Sequence, residues 1–288
     1  MKEILRFEKV AYSYDGEREA LRSVDVTVSP GERIAILGNN GAGKSTFFLC
    51  ANGILKPQKG KIFLEGKEIQ WKKREIIELR QKIGLVFQEA DSQLITGTVE
   101  AEVSFGSMNL GIPEGEVRAR VEDAIDRMGL EKFRQRAPHY LSGGEKKRVS
   151  IADVLAMHPR LMLLDEPASS LDPSSVQMLK EHLDKLSKEG MSLVIATHDV
   201  DFAWEWAERI LLFHEGMIEA DGRPEEIFAR EELLERCGLR KPLLFQAGQI
   251  YGLRPLPRTI DELKKQRGKG TCHPGKNSMN SEPHKDGG

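Results

Sequence analysis

The chain has 288 residues, of which 39% are hydrophobic and 27 are glycine. This composition is typical of a globular protein. The length suggests one large domain or two small ones. The formal net charge of −2 leaves no global basic field, so nucleic-acid binding is not expected. Apolar runs fall far short of the roughly 18 residues needed to cross a bilayer. The N-terminal stretch lacks the pattern of a signal peptide, so we expect a cytosolic chain whose three cysteines stay reduced.

The N-terminal segment is predicted to form strands. Residues 5–14 and 24–28 alternate apolar and polar side chains, as half-buried antiparallel strands do. Ser29-Pro30-Gly31 then predicts a turn. The next stretch, residues 33–37, is a short β-branched run of the kind found in sheets covered on both faces. It leads directly into a glycine-rich loop.

That loop reads GNNGAGKS and matches the phosphate-binding pattern G-x-x-x-x-G-K-[ST], after a predicted strand and before a predicted helix. Its glycines allow successive backbone N–H groups to converge on a phosphate at a helix N-terminus. We expect Lys44 to reach the β- and γ-phosphates and the Ser45 hydroxyl to ligate Mg²⁺. The residues predicted to bind nucleotide here are Gly38, Asn39, Asn40, Gly41, Ala42, Gly43, Lys44, Ser45 and Thr46.

Three further apolar stretches predict core strands, at residues 83–87, 161–164 and 193–196. Helical stretches lie between them, which is the order of a parallel α/β sheet. The segment from about residue 90 to 157 is expected to be helical and to leave the sheet. One apolar helix face in this segment is formed by Val117, Val121, Ile125 and Met128.

Two acidic residues, Asp165 and Glu166, directly follow one of these strands. They stand at the edge where a parallel sheet binds its ligands. We expect Asp165 to hold the Mg²⁺ shell and Glu166 to polarise a water molecule toward the γ-phosphate. Together with the phosphate-binding loop, this pair predicts nucleotide hydrolysis.

The C-terminal half begins with a predicted helix. Asp172 and Pro173 are typical of a helix start, and Gly190 is typical of a helix end. Residues 210–213 and 217–220 predict a late hairpin. We divide the chain into a main domain of residues 1–235, an extension of residues 236–268 and a disordered tail of residues 269–288.

The C-terminal stretch from Arg254 onward is basic. It has two interpretations, a solvated tail or a surface that contacts anionic lipid or a partner protein. The solvated tail is favoured, because charge runs are more often solvated than functional. Cys272, His273 and His284 are too loosely spaced to predict a metal site.

Between the loop and the acidic pair lies Leu141-Ser142-Gly143-Gly144-Glu145. With this motif the chain resembles an ATP-binding-cassette (ABC) ATPase, whose signature is LSGGQ, so Glu145 replaces the commoner glutamine. The resemblance implies a P-loop NTPase fold with a mainly parallel core sheet, an N-terminal antiparallel subdomain and an inserted helical subdomain. It also implies that Ser142, Gly143 and Gly144 bind the γ-phosphate of ATP held by an opposite subunit, so that hydrolysis requires a dimer.

Other residues match the same family. The resemblance implies that Gln88 is the Q-loop glutamine, which contacts Mg²⁺, and that His198 is the switch histidine, which bonds the γ-phosphate. It implies that Tyr14 stacks on adenine and that residues 169–172 form the D-loop at the dimer interface. The resemblance covers residues 3 to 235, with every motif present once and in order.

Within this family the chain resembles the ATPase subunit of energy-coupling factor importers, closest to the cobalt type. The stretch VSFGSMNLG at residues 103–111 fits that group, whereas residues 89–93 keep Asp91 and Gln93 but lack its usual Asn-Pro. The resemblance implies a paired ATPase, a transmembrane coupling protein and a small integral-membrane substrate-binding subunit at the cytoplasmic face of the membrane. Cobalt is the favoured solute, then nickel, then a vitamin such as biotin.

Two alternatives stay open. A soluble ABC ATPase of DNA repair or translation would lack a membrane partner, but this chain has one cassette, and its two phosphate-binding motifs lie too close in sequence for a long coiled-coil insertion. A non-hydrolysing regulatory cassette would be expected to lack Lys44 or Glu166, and both are present.

Overall fold

The computed structural model describes residues 3–269, which divide after Pro242 into two compact units. The strands of the described chain all lie in the first unit. They are β1 (Leu5–Ser13), β2 (Glu19–Val28), β3 (Arg33–Leu37), β4 (Lys59–Leu64), β5 (Lys67–Glu68), β6 (Ile83–Val86), β7 (Leu161–Asp165), β8 (Ser192–Thr197), β9 (Arg209–His214) and β10 (Met217–Gly222).

Helices lie between and after these strands. In the first unit they are α1 (Lys44–Ala51), α2 (Lys73–Lys82), α3 (Val99–Asn109), α4 (Glu114–Arg127), α5 (Gly143–Ala156), α6 (Pro173–Lys188), α7 (Val200–Trp206), α8 (Pro224–Phe228) and α9 (Glu231–Arg236). In the second unit α10 (Leu243–Ile250) and α11 (Ile260–Lys269) pack against each other. None of the helices in residues 3–269 is long and apolar enough to span a bilayer.

The strands form two sheets. An antiparallel sheet has the order β2-β1-β4-β5, and a six-stranded sheet has the order β10-β9-β3-β8-β7-β6. In the larger sheet β9, β3, β8, β7 and β6 run parallel, and only β10 is antiparallel. Every residue of β6, β7 and β8 is buried, because helices cover both faces of a parallel sheet. The predicted fold class is therefore confirmed.

The register of the parallel sheet aligns the ends of three strands. Leu37, the last residue of β3, pairs with Thr197, the last residue of β8. Asp165, the last residue of β7, pairs with Ala196 of β8. Because the carboxyl ends of these neighbouring strands meet at one edge, the residues that follow them also lie close together.

The helical segment between β6 and β7 is present as predicted. Its helices α3, α4 and α5 pack against one another. Val117, Val121 and Ile125 of α4 are buried, and so is Met128 directly after the helix. The helix predicted after Asp172 is also present, since Pro173 begins α6 and Asp172 is its N-cap.

The N-terminal strands differ in detail from the prediction. β1 ends at Ser13, one residue before the predicted end, because the Asp15 carboxylate accepts hydrogen bonds from the backbone N–H groups of Glu17 and Arg18 and turns the chain. β2 begins at Glu19, five residues before the predicted start. The sequence analysis did not identify β4, which pairs with β1. Of the tail predicted to be disordered, residues 269–288, Lys269 is instead the last residue of α11, and the rest, with Cys272, His273 and His284, lies outside the described residues.

Candidate functional site

The phosphate-binding loop joins β3 to α1, and α1 begins at Lys44. Gly43, the N-cap of α1, has a φ of 106°, in the left-handed region that favours glycine. A Cβ atom at this position would lie 2.6 Å from the carbonyl oxygen of Ala20. The loop therefore keeps its shape only with glycine here, and its backbone N–H groups stand at a helix N-terminus suited to an anion.

Lys44 is buried at the base of this loop, with 6% of its surface exposed. Its Nζ donates hydrogen bonds to the carbonyl oxygens of Gly38 at 2.6 Å and Asn39 at 3.3 Å. Burial lowers the pKa of Lys44, and the carboxylates of Glu166 and Asp165 oppose that lowering. Glu166 Oε1 forms a long ion pair with Lys44 Nζ at 3.8 Å, so the positive charge of the loop is paired without a hydrogen bond to a carboxylate.

The acidic pair lies beside this lysine. Burial raises the pKa of Asp165, while a hydrogen bond from the Ser45 side chain opposes that rise. Glu166 is 7% exposed and has a φ of 43°, which is unfavourable for a residue with a side chain. Such backbone strain is often found at functional sites.

The two carboxylate oxygens of Glu166 have different surroundings. Oε2 lies 3.0 Å from Nδ1 of His198, which follows the neighbouring strand β8. Oε1 is buried and has no hydrogen-bond partner. One oxygen is therefore held in place, while the other is available to a donor group.

His198 directly precedes Asp199, which is the N-cap of α7. The Asp199 carboxylate accepts hydrogen bonds from the backbone N–H groups of Asp201 and Phe202, which fixes the start of the helix. Trp204 and Trp206 of α7 are both buried. His198 therefore stands between a core strand and a well-packed helix, with its own side chain 64% exposed.

A cavity of about 260 Å³ joins most of the predicted site residues. The predicted residues that line it are Tyr14, Asn40, Gly41, Ala42, Gly43, Lys44, Ser45, Thr46, Gln88, Asp165 and Glu166. The structure thus brings together side chains from the loop, the end of β7, the segment after β6 and the segment after β1.

Tyr14 is 63% exposed at the mouth of this cavity. Its hydroxyl lies 3.2 Å from the Thr46 hydroxyl, and its ring meets the edge of the Tyr12 ring with centroids 5.0 Å apart. An exposed aromatic ring in this position presents a face on which a base can stack.

Ser142, Gly143 and Gly144 are not among the residues lining this cavity. They lie at the N-terminus of α5, where Ser142 and Glu145 form a capping box. The Glu145 carboxylate accepts a hydrogen bond from the Ser142 N–H at 2.7 Å, and the Ser142 hydroxyl accepts one from the Glu145 N–H at 3.4 Å. We refer to Ser142–Gly144 as the signature turn. It is a separate, well-formed helix N-terminus.

The structure also shows contacts that the sequence analysis missed. Lys147 of α5 donates hydrogen bonds to backbone carbonyl groups beside Gln88. Gly238, after α9, approaches the Asn39 side chain so closely that a Cβ atom on it would lie 2.4 Å from Asn39 Nδ2. Lys147 belongs to the Lys146-Lys147-Arg148 stretch that follows the signature, but nothing in that stretch indicates these hydrogen bonds, and Gly238 lies outside every motif.

Comparison with known proteins gives consistent similarities. A family model described as ABC transporter matches residues 21–169. The energy-coupling factor transporter ATP-binding protein EcfA of Methanothermobacter thermautotrophicus is 44% identical over 264 residues, which is 92% of this chain and 80% of that protein. EcfA of Methanocaldococcus jannaschii is 41% identical over 239 residues, 83% of this chain and 86% of that protein.

Solved structures are similar as well. CbiO1 from Clostridium perfringens, described as part of the ABC transporter complex CbiONQ, is 40% identical with a TM-score of 0.75 and covers 88% of this chain and 100% of its own. A dimeric ATP-binding cassette in a post-hydrolysis state, bound to ADP and Pi, is 29% identical with a TM-score of 0.69 and covers 77% of this chain and 99% of its own.

Proposed function

Since the chain belongs to the energy-coupling factor ATP-binding proteins of the ABC transporter family, we propose that it powers an importer from the cytoplasmic face of the cell membrane. The chain is an ABC-type ATPase that uses ATP with Mg²⁺. We propose that two ATPase subunits, identical or paired, act on a transmembrane coupling protein. A small integral-membrane subunit binds the solute, and no nucleic acid takes part.

The residues around the cavity fit this nucleotide and its metal ion. Ser45, Asp165 and Gln88 offer hydroxyl, carboxylate and amide oxygens, which are the ligand types that Mg²⁺ prefers. Lys44 offers a buried positive charge to the phosphates. When bound, Mg²⁺ supplies charge that neutralises the phosphate oxygens.

The observation that carries the assignment of the base is that Oε1 of Glu166 is buried and accepts no hydrogen bond, although it pairs with Lys44 at 3.8 Å. A buried acceptor without a donor is costly, so this oxygen is suited to accept a hydrogen bond from the attacking water molecule. We infer that Glu166 accepts the proton of the attacking water at Oε1. His198 fixes the other carboxylate oxygen through Nδ1 and so orients Glu166.

Substitution of the base tests this assignment. Glu166→Gln keeps the shape of the side chain but cannot accept a proton, so phosphate release is expected to fall about 10²- to 10⁴-fold. An ATP-bound dimer is expected to accumulate, which size-exclusion chromatography in the presence of ATP detects. Full turnover in this variant would remove Glu166 from its assigned role.

The position of the signature turn supports a dimer. Ser142 and Gly143 are exposed at the start of α5 and do not line the cavity of their own chain. A second copy therefore provides the nucleotide that this helix N-terminus binds. One similar solved structure is described as a dimeric cassette bound to ADP and Pi.

Exposed apolar side chains of the helical segment support a protein partner. Phe105 and Met108 of α3 are 43% and 63% exposed, and Ile95 before this helix is 68% exposed. Phe105 and Met108 are three residues apart and so share one helix face. Apolar surface of this kind marks contact sites, and we assign it to the transmembrane coupling protein.

A pull-down from the native cells in mild detergent tests the transport assignment. The tagged chain is expected to retain a multi-span membrane protein and a small membrane protein, identified by mass spectrometry. Ile95→Asp with Met108→Asp is expected to lose both while retaining ATP binding. Recovery of ribosomes or DNA-repair factors, with no membrane protein, would instead favour a soluble ABC ATPase.

For the solute we propose cobalt, with nickel and then a vitamin such as biotin as the alternatives. The proposal rests on the resemblance of residues 103–111 to the cobalt type and is supported by the similarity to CbiO1. Uptake of radiolabelled cobalt by cells with and without the chain tests it. If cells without the chain keep cobalt uptake but lose nickel or biotin uptake, the solute is the one whose uptake is lost.

A further inference from the structure

Residues 87–93 connect β6 to the helical segment and carry Gln88, and side chains of α5 hold this stretch in place. Lys147 Nζ donates hydrogen bonds to the carbonyl oxygens of Phe87 at 2.9 Å and Gln88 at 2.6 Å. Lys147 is 3% exposed. A buried ammonium group therefore fixes the backbone on both sides of the Phe87–Gln88 peptide bond.

Gln93 makes a second attachment from the other end of the stretch. Its Nε2 donates hydrogen bonds at 3.3 Å to the carbonyl oxygen of Ser150 and to Oδ2 of Asp153, both on α5. Its Oε1 accepts a hydrogen bond from the Phe87 N–H at 3.3 Å. Gln93 thus closes residues 87–93 into a loop and ties that loop to α5, one turn beyond Lys147.

A third contact contributes less. Lys146 Nζ lies 2.6 Å from Oδ1 of Asp91, whose side chain is 74% exposed. Exposed ion pairs of this type contribute about 0–1 kcal/mol. The hydrogen bonds of the buried Lys147 and the partly buried Gln93 are therefore the principal attachments.

The chemistry of Lys147 argues against a purely packing role. Burial lowers the pKa of Lys147 to about 8, and the only opposing effect comes from the charge of Asp165. Desolvating an ammonium group is costly, and an apolar side chain of similar volume is often more stable at such sites. A lysine at this position is explained by its hydrogen bonds to the two carbonyl groups.

We propose that Lys147 and Gln93 are positioning residues that join residues 87–93 and α5 into one rigid body. Gln88 lines the nucleotide cavity, and the signature turn is the N-terminus of α5. The two therefore move together. In the dimer of the proposed function, on which this inference rests, engagement of Gln88 by one nucleotide sets the position of the signature turn toward the other nucleotide.

Substitution of Lys147 by a side chain without donors tests the coupling. In Lys147→Met the monomer is expected to bind ATP with unchanged affinity, whereas kcat falls about tenfold, as expected for loss of a hydrogen bond from a charged group. The Hill coefficient for ATP is expected to fall toward 1. Lys147→Gln keeps an amide donor on a shorter side chain. This variant is expected to recover part of the lost kcat and part of the lost Hill coefficient.

The matched control is another buried lysine. Lys180 of α6 is 8% exposed and pairs with Glu205 at 2.5 Å, outside the cavity. Lys180→Met is expected to lower stability while kcat and the Hill coefficient per folded molecule stay at wild-type values. If Lys147→Met does not fold, Gln93→Leu replaces it with the same expected kinetics.

Amide hydrogen exchange separates failure of this inference from failure of the proposed function. Exchange in residues 87–93 is expected to accelerate in Lys147→Met and not in Lys180→Met, whether or not the chain dimerises. Wild-type exchange together with a wild-type Hill coefficient would overturn the inference. A Glu166→Gln variant that stays monomeric with ATP would overturn the dimer alone.

Discussion

Glu145 stands where the ABC signature most often has glutamine, and its carboxylate completes the capping box of α5. Glutamine serves the same position of a capping box. The carboxylate adds a negative charge at a helix N-terminus, which stabilises the helix itself. The same charge opposes a phosphate bound at the signature turn.

Glu145→Gln is therefore expected to strengthen ATP-driven dimerisation. In a Glu166→Gln background, the ATP concentration for half-maximal dimer is expected to fall about fivefold, the effect of roughly 1 kcal/mol of charge repulsion close to water. Size-exclusion chromatography across an ATP titration measures this concentration. If this ATP concentration does not change, the Glu145 charge lies too far from the bound phosphate to affect dimerisation.

Gly238 is a residue whose role depends on a neighbour far away in sequence. Its φ is 64°, and a Cβ atom would meet Asn39 Nδ2 at 2.4 Å. Gly190 has a comparable φ of 91° but nothing within 4 Å of a Cβ atom. Alanine at either position strains the backbone by about 1–2 kcal/mol, but only at position 238 does it also displace a residue of the phosphate-binding loop.

We expect both glycine-to-alanine variants to be destabilised. Only Gly238→Ala is expected to weaken ATP binding as well, by about threefold, or roughly 0.7 kcal/mol. Titration with a fluorescent ATP analogue and thermal unfolding measure the two effects separately. Asn39→Ala removes the clash, so adding Gly238→Ala to it is expected to cause no further loss of affinity; a further threefold loss relative to Asn39→Ala alone would contradict this explanation.

Among the elements, α6 begins with an unusually well-bonded N-cap. The Asp172 carboxylate accepts hydrogen bonds from the N–H groups and the hydroxyl groups of Ser174 and Ser175. These bonds hold the pKa of Asp172 below its usual range. A lowered folded-state pKa gives stability that is present above the unfolded value and is lost as the pH falls below it.

Asp172→Asn keeps a capping oxygen but removes the titration. The variant is expected to be less stable than the wild type at pH 6, and the difference in free energy of unfolding is expected to shrink below about pH 4, the unfolded carboxyl pKa. Urea denaturation at pH 6 and at a pH below about 4 measures this difference in the free energy of unfolding. Asp172→Ala, which loses the cap at every pH, is the control. A difference that is constant with pH would exclude this carboxylate as the titrating group.

The parallel sheet explains why the site was predictable from the sequence. Apart from Tyr14, Gln88 and the signature turn, the predicted groups lie at or directly after the ends of β3, β7 and β8, which are neighbours in the sheet. Apolar strands followed by Gly38, Asp165 or His198 are local patterns, so the residues could be placed at one edge without knowing the loops. Glu166 and His198 follow two neighbouring strands, and the structure places Glu166 Oε2 3.0 Å from His198 Nδ1, a contact that was not itself predicted.

The parts that were missed depend on long-range packing. β4 begins with three exposed residues, Lys59, Gly60 and Lys61, and its alternation is too short to be recognised. It becomes a strand because β1 offers a partner. Similarly, the hydrogen bonds of Lys147 join residues about sixty positions apart. No pattern of spacing within a single element encodes such a contact.

At the scale of the whole molecule, the residues of the candidate site all lie in the first compact unit, which ends at Pro242. The last residues of this unit are tied within it, since Arg240 pairs with Asp201 at 3.0 Å and Lys241 with Glu231 at 3.0 Å. This unit therefore has its own core and its own complete cavity.

A chain truncated after Pro242 is expected to unfold in one cooperative transition and to bind ATP with the affinity of the full chain. Differential scanning calorimetry and titration with a fluorescent ATP analogue measure these properties. The comparison is a chain truncated after Ala229, which lacks α9 and the Asn39 contact of Gly238. This shorter chain is expected to have lower thermal stability and lower ATP affinity. Loss of ATP binding in the longer form would show that the second unit contributes to the site.

The tryptophans of α7 give the molecule a built-in optical probe. Trp204 and Trp206 are buried in the helix that starts two residues after His198, and Arg33 lies over the Trp206 ring at 4.8 Å. Indole emission responds to nearby charges and to packing. We expect a shift of the histidine to change the emission of Trp204 and Trp206, so that stopped-flow mixing of a Trp71→Phe variant with nucleotide can follow the catalytic edge of the sheet in real time.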